Sequence, residues 1–177
     1  MPLDPSRWVR RETLADGAEV IIRPLRAEDA ARGIAAFNEL SEHARYQRFM
    51  RAVNELSPDM LRELMKIDYR RTMAFVAEAT AGESPPLVGI ARYAGRGKSC
   101  EFAIVLADAW QGRGLGSRLM RPLMRYARRA GFKTMTGSTF STNTPMIELA
   151  HRLGFRSTVD PDGASETLLA RKLPLRP

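Results

Sequence analysis

Cysteine and histidine are almost absent from these 177 residues: Cys100 stands alone, and His43 and His151 are the only histidines. A single thiol cannot close an internal disulfide. Two isolated histidines and one cysteine supply no cluster at metal-ligand spacing, so no metal is expected. No apolar run approaches the roughly 20 residues needed to cross a bilayer, and Met1 to Arg11 lacks the apolar stretch of a signal peptide. A cytoplasmic protein without a membrane partner is the default expectation. Lysine is scarce as well, since 24 of the 28 basic residues are Arg, scattered from Arg7 to Arg176 with no low-complexity tract. The net charge of +8 attracts polyphosphates, acidic proteins or nucleic acid without choosing among them.

What is present is enough apolar material for a core: 44% hydrophobic content over 177 residues suits one domain. Residues 1 to 17, polar and proline-interrupted, read as a loosely attached arm, followed by a single domain over 18 to 177. Ala18 to Pro24 reads as a first strand. Ala27 to Leu40 has helical periodicity, with Ile34, Phe37 and Leu40 on one face. Ser41 to Met50 and Ser57 to Ile67 read as further helices, the second with Ser57 as cap and Pro58 in its first turn. Met73 to Ala79 and Leu87 to Tyr93 form a hairpin across the turn signals Ala81 to Pro86, and Cys100 to Leu106 is the next strand.

The most informative residues are Gln111-Gly112-Arg113-Gly114-Leu115-Gly116, which join that strand to an amphipathic helix. Leu115, Leu119, Leu123, Tyr126 and Ala130 share its apolar face, and Arg118, Arg121, Arg125, Arg128 and Arg129 the opposite one. The arginine face reads as solvated, with Arg118, next to the loop, the better phosphate candidate. Pro122 sits inside the helix and predicts a kink. Thr134 to Phe140 is the following strand, Thr144 and Pro145 open a helix running to Leu153, and Glu166 to Lys172 returns as the last strand.

Glycines at a strand-to-helix junction expose backbone N–H groups. With the positive end of the helix dipole behind them, these suit a phosphate or pyrophosphate. A nucleoside-triphosphate loop would need Lys and Ser or Thr after its last glycine, but Ser117 and Arg118 follow Gly116. A dinucleotide loop would need a third glycine three residues after the second, whereas Gly112, Gly114 and Gly116 alternate. A glycine-rich turn that only starts a helix is the bland alternative.

The loop resembles the Gln/Arg-x-x-Gly-x-Gly/Ala loop of the GNAT N-acetyltransferases, in which backbone amides hold the pyrophosphate of acetyl-coenzyme A. The likeness extends to Asn143, Met146 and Leu153-Gly154-Phe155 downstream, and to Arg23 to Asp29 upstream. More narrowly, Arg45-Tyr46-Gln47-Arg48-Phe49 and Glu101-Phe102-Ala103 resemble the acetyltransferase domain of Pat-type bacterial protein-lysine acetyltransferases. The resemblance implies an α+β, GNAT-like three-layer fold with a central mixed, mostly antiparallel sheet flanked by helices. It implies acetyl-CoA as acyl-donor cosubstrate, no metal, and an amine acceptor. It places Gln111, Gly112, Arg113, Gly114, Leu115 and Gly116 at the pyrophosphate, and Ile104, Val105 and Leu106 along the pantetheine arm. Asn143 falls beside the cofactor, its alternative being a helix-start residue.

Glu101 is the expected general base, at the position the Pat-type enzymes give their catalytic glutamate. An amine of pKa about 10.4 must lose a proton before it attacks a thioester, a deficit of about 4 to 5 kcal/mol at neutral pH. Its alternative is an exposed strand glutamate with no chemical role. The tyrosine that many GNAT enzymes carry four residues before the final Gly-Phe is here Ala150, which leaves Tyr46, Tyr93 and Tyr126 as substitutes for the general acid. Cys100 as an acyl-enzyme nucleophile has no histidine tied to it and reads better as a small buried residue. His43 and His151 read as surface residues.

The leading expectation is direct acetyl transfer to a primary amine. Pat-type enzymes often carry a large acyl-CoA synthetase-like region absent from these residues, so polyamines, amino acids and antibiotics stand beside protein lysine as acceptors. An acyl-CoA binding or sensing module without turnover is the second reading, motivated by the missing tyrosine. A nucleic-acid-binding domain rests on charge alone and ranks last. Monomer and homodimer both remain open.

Overall fold

Residues 3–82, 86–163 and 165–174 of the computed structural model are described below. Eight strands, β1 (Arg10–Thr13), β2 (Glu19–Pro24), β3 (Thr72–Ala79), β4 (Leu87–Arg96), β5 (Ser99–Leu106), β6 (Thr134–Phe140), β7 (Arg156–Val159) and β8 (Glu166–Lys172), pair in the order β1-β2-β3-β4-β5-β6-β8-β7. Every neighbouring pair is antiparallel except β5 with β6. The helices are α1 (Ala30–Asn38), α2 (Glu42–Phe49), α3 (Pro58–Met65), α4 (Leu115–Arg129) and α5 (Thr144–Arg152). This is the expected α+β arrangement of a mixed, mostly antiparallel sheet between helices.

The two faces of the sheet bury different clusters. On one, the fully buried Leu115, Leu119, Leu123 and Tyr126 of α4 pack with Val20, Ile22, Phe75, Ala91 and Phe102. The 3.6-residue spacing of these positions brings them onto the sheet, while Arg121, Arg125 and Arg129 face solvent. Burial and then the like charges of Arg10, Arg121, Arg128 and Arg129 hold the Arg125 guanidinium below its ordinary value, as on a solvated basic face. The helix continues through Pro122, which is buried. On the other face, α1 and α2 enclose Phe37, Leu40, Ala44 and Val53, against which Val105 of β5 packs.

The amino-terminal segment departs from the expectation of a loose arm. Arg10 to Thr13 pair with Ile22 to Glu19, so β1 extends the sheet. Trp8, 8% exposed, enters the main core with its ring centroid 5.1 Å from Tyr126 and 6.1 Å from Phe75. One buried aromatic ring, the buried Leu14 and a four-residue ladder hold the segment to the sheet. The segment Arg156–Val159, which has no apolar alternation and four exposed residues, is likewise a strand, paired at the edge with β8. Residues 83–85 of the expected Ala81 to Pro86 turn lie outside the described residues.

Polar anchors fix the helices that face the site. Arg23 of β2 bonds Asp29 through both terminal nitrogens, at 2.8 and 2.7 Å, and Glu78 of β3 at 2.8 and 3.0 Å. Burial raises the Asp29 and Glu78 carboxyls, but the hydrogen bonds from Arg23 outweigh it and hold both below the usual carboxylate range. Ser41 caps α2 by accepting from Ala44 N–H at 3.1 Å, while its own N–H and hydroxyl donate to Asp108, just beyond β5, at 3.0 and 2.6 Å. The helix wall is thereby latched to the segment that leads into the glycine loop.

Candidate active site

The parallel pairing of β5 with β6 covers only Ser99, Cys100 and Glu101 against Thr134, Met135 and Thr136. Beyond it the strands part, and Phe140 pairs onward to Glu166 of β8 instead. Phe102 sits in the crotch of this V: a Cβ on Gly137 would lie 2.6 to 3.0 Å from its ring atoms, and the ring packs 5.1 Å from that of Phe155. Ala107 N–H donates to Val88 on the β4 side at 2.9 Å. By strand alternation, the backbone groups of Phe102, Ile104 and Leu106 therefore face the gap. Leu106 C=O takes a hydrogen bond there from Gln111 Nε2 at 3.3 Å. The backbone of Val105 instead faces its β4 partner Ile90, although Val105 lines the cleft.

The gap opens into a cleft of about 620 Å³. One end is the glycine loop. Gly112 has φ +71° and Gly114 φ +80°, left-handed backbone that glycine adopts without strain. Gly114 is the cap position of α4 and provides no side-chain acceptor, so the first-turn N–H groups of a 15-residue helix are left uncapped at the cleft. Gly116 lets α4 and α5 approach: a Cβ there would stand 2.8 Å from Leu149 Cδ2.

Of the residues expected from sequence, Glu101, Ile104, Val105, Leu106, Gln111, Gly112, Gly114, Leu115, Gly116 and Asn143 all line this cleft. Arg113 does not. Its guanidinium bonds Asp16 at 2.5 Å and lies 4.3 Å from the Trp110 ring centroid, tying the loop to the β1–β2 turn. Arg118, expected at the phosphate, donates to the carbonyls of Thr13 and Gly114 at 3.1 and 3.4 Å and lies 3.6 Å from Glu12. Both cations serve the scaffold. Asn143 caps α5 by accepting from Met146 N–H at 3.3 Å, the position expected for Thr144, and donates to Thr139 Oγ1 at 3.1 Å.

Glu101 is at the junction where pairing ends, and it is exposed. None of the four tyrosines lines the cleft. Tyr93 and Tyr126 are fully buried, donate to backbone carbonyls at 3.1 and 2.8 Å, and burial raises both phenols, that of Tyr126 to about 12. Tyr46 stacks on Phe140 at 4.9 Å. Ala150 is fully buried in the core. Cys100 is buried, and burial pushes its thiol up to about 12, which removes the nucleophile reading. His43 and His151 are exposed.

The structure adds residues that sequence reasoning left unassigned. Gln47, Arg48, Phe49 and Met50, at the end of α2, line the cleft opposite the loop, together with Ser117, Ser138 and Thr139. The signal was the Arg45 to Phe49 segment. Within it Arg45 is structural, donating to Asn38 and Asn54 carbonyls at 2.9 and 2.8 Å, whereas Arg48 faces the cleft. A second, apolar cavity of about 100 Å³ adjoins the cleft at Arg48, Phe49 and Val105 and reaches Arg92. Among the described residues, no three His, Cys, Asp or Glu side chains converge as a metal would need, and no helix is long and apolar enough to cross a membrane.

Known proteins place this geometry. The acetyltransferase (GNAT) domain family matches residues 19–156. The chain is 41% identical over 168 residues to Acetyltransferase PA5475 of Pseudomonas aeruginosa, covering 94% of this chain and 89% of that one. Among solved structures, the GNAT domain of S. lividans PAT superposes with a TM-score of 0.87 at 23% identity, over 96% of this chain and 99% of that domain. A putative acetyltransferase, yncA of Salmonella typhimurium, solved with its cofactor acetyl-CoA, gives a TM-score of 0.69 at 23% identity, over 89% of this chain and 95% of that one. At these identities the structural likenesses speak for the fold.

Proposed function

The chain belongs to the acetyltransferase (GNAT) family, whose members use acetyl-CoA, and from that premise we propose that it transfers the acetyl group to a primary amine by direct attack on the thioester, with Glu101 receiving the proton. The observation that carries this reading is the meeting of three features on one cleft: the unpaired edge of β5, the uncapped start of α4, and the Glu101 carboxylate between β5 and the α2 wall.

The uncapped N–H groups of α4, with Gly112 and Gly114, suit the pyrophosphate. The backbone edge of Ile104 and Leu106 suits the pantetheine amides, and an N–H of that edge suits the thioester oxygen as negative charge develops. The amine nitrogen forms its bond to the acetyl carbon as the carbon–sulfur bond breaks. The amine proton passes to Glu101, through water because the carboxylate is exposed, and the coenzyme A thiolate takes its proton from solvent in the open cleft. A thiol of pKa near 8.5 makes a good leaving group without a dedicated acid, which accommodates the absence of a tyrosine.

The resemblance of Arg45 to Phe49 and Glu101 to Ala103 to the Pat-type protein-lysine acetyltransferases supports a protein lysine as the acceptor. A small amine is the second reading, supported by the 100 Å³ cavity beside the cleft, which has room for a small group and none for a folded chain. Replacing Glu101 by Gln is expected to lower kcat by about 10²- to 10⁴-fold while leaving the acetyl-CoA Kd in place. Coenzyme A release and calorimetric binding measure the two separately. Unchanged turnover removes Glu101 from the mechanism, and binding without any turnover in the wild type favours a sensing module.

A further inference from the structure

Two arginines meet at the apolar cavity that adjoins the cleft, and neither forms an ion pair among the described residues. Arg48 lines both the cleft and the adjoining apolar cavity. Its guanidinium carbon lies 4.8 Å from the Phe49 ring centroid, and it forms no hydrogen bond or ion pair among the described residues. Arg92 lines the same cavity and its hydrogen bonds go to backbone, to Leu64 C=O at 3.1 Å and Glu63 C=O at 3.5 Å, with the exposed Glu63 carboxylate acting on it only through its charge. Leu40, Leu56, Leu61 and Val76 wall the cavity with hydrocarbon.

Two like charges held together against apolar walls are costly unless something anionic offsets them. Burial, and after it the charge of Arg92, lowers the Arg48 guanidinium to about 10, which leaves it cationic at neutral pH. Arg92 also stands in register with the proposed base. Arg92 on β4 is directly opposite Ala103 on β5, and Glu101 is opposite Ala94. Arg92 and Glu101 are therefore diagonal neighbours on one face of the sheet, with Cα atoms about 7 to 8 Å apart.

We propose that Arg48 and Arg92 bind a carboxylate of the acceptor, so that the amine presented to Glu101 belongs to a molecule or segment carrying a carboxylate close to that amine. A planar carboxylate matches the guanidinium fork, and the cavity admits a group of that size. The shared chemistry has two sources, a free amino acid or a lysine beside an acidic residue in a polypeptide. The inference rests on the proposed amine transfer and adds the class of acceptor.

The test is coenzyme A release by the full chain at saturating acetyl-CoA. Amino acids are compared with their carboxamides and decarboxylated amines, and lysine peptides bearing a neighbouring Glu are compared with their Gln counterparts. The carboxylate-bearing member is expected to be used with a kcat/KM about 10- to 100-fold higher, and the arm that shows the preference identifies the source. Arg48→Gln and Arg92→Gln should each erase most of that preference through KM, with acetyl-CoA affinity retained, and Arg48→Lys should restore part of it. The wild-type comparison needs no variant to fold. Equal use of acid and neutral partners, use of no carboxylate-bearing acceptor, or a preference that survives both Gln substitutions overturns the proposal. Turnover of neutral amines alone would do so while sparing the transfer mechanism, which fails separately if Glu101→Gln is without effect.

Discussion

Gly114→Glu asks directly whether the start of α4 receives a phosphate. At φ +80° an L residue is strained by about 1 to 2 kcal/mol, and a Cβ would stand 3.0 Å from Arg118 Nη1, the end of a side chain able to move. That strain is common to Gly114→Ala, which makes the alanine variant the reference. What Glu adds is a negative charge at the mouth of the loop. Two unit charges about 4 Å apart repel by about 4 kcal/mol at an effective dielectric of 20 and about 1 kcal/mol in water. Gly114 is exposed, so about 1 to 2 kcal/mol per ligand charge applies, and a pyrophosphate with two charges loses about 2 to 4 kcal/mol. The acetyl-CoA Kd should then rise by about 30- to 700-fold over that of the alanine variant. Calorimetric titration at low and high salt measures it, and the gap should narrow with salt. Equal affinity in the two variants would refute a pyrophosphate at this helix end.

Three other outcomes follow from the scaffold. Asp29→Asn leaves Arg23, whose side chain is 7% exposed, short of its bidentate partner and should cost about 3 to 5 kcal/mol by urea unfolding at pH 7. Because Asp29 and Glu78 are held below their ordinary range, their contribution is present above the unfolded values near 4 and is lost as pH falls through the lower folded ones. The wild type should accordingly lose stability below about pH 4 more steeply than Asp29→Asn, and parallel curves would argue against the network. Trp8→Ala should cost about 3 to 5 kcal/mol, whereas a loss below about 1 kcal/mol would reinstate a loosely attached arm.

The periodic elements were legible because their signal is local. The apolar stripe of α4, the runs that became β3 and β5, and β6 and β8 at their observed bounds all follow from spacing two or 3.6 residues apart. β1 and β7 were not legible: Arg10–Thr13 and Arg156–Val159 are short, polar and mostly exposed, and only pairing with β2 and β8 makes them strands. The cap of α5 fell one residue earlier than expected because Asn143 Oδ1 reaches Met146 N–H.

The sequence alone determined that a glycine loop joins an apolar strand, with Glu101 near its start, to an amphipathic helix. Those facts depend on neighbours in the chain. Tertiary structure decided which charged groups are free to act. Arg113 and Arg118, beside the loop in sequence, are drawn away by Asp16, Glu12 and Thr13, about a hundred residues earlier. Arg48 and Arg92, 44 residues apart, come to share one cavity without an ion pair to either among the described residues. Hydrogen bonding and desolvation at a side chain are set by what packs against it, and for these four arginines that is settled by sheet register and helix docking.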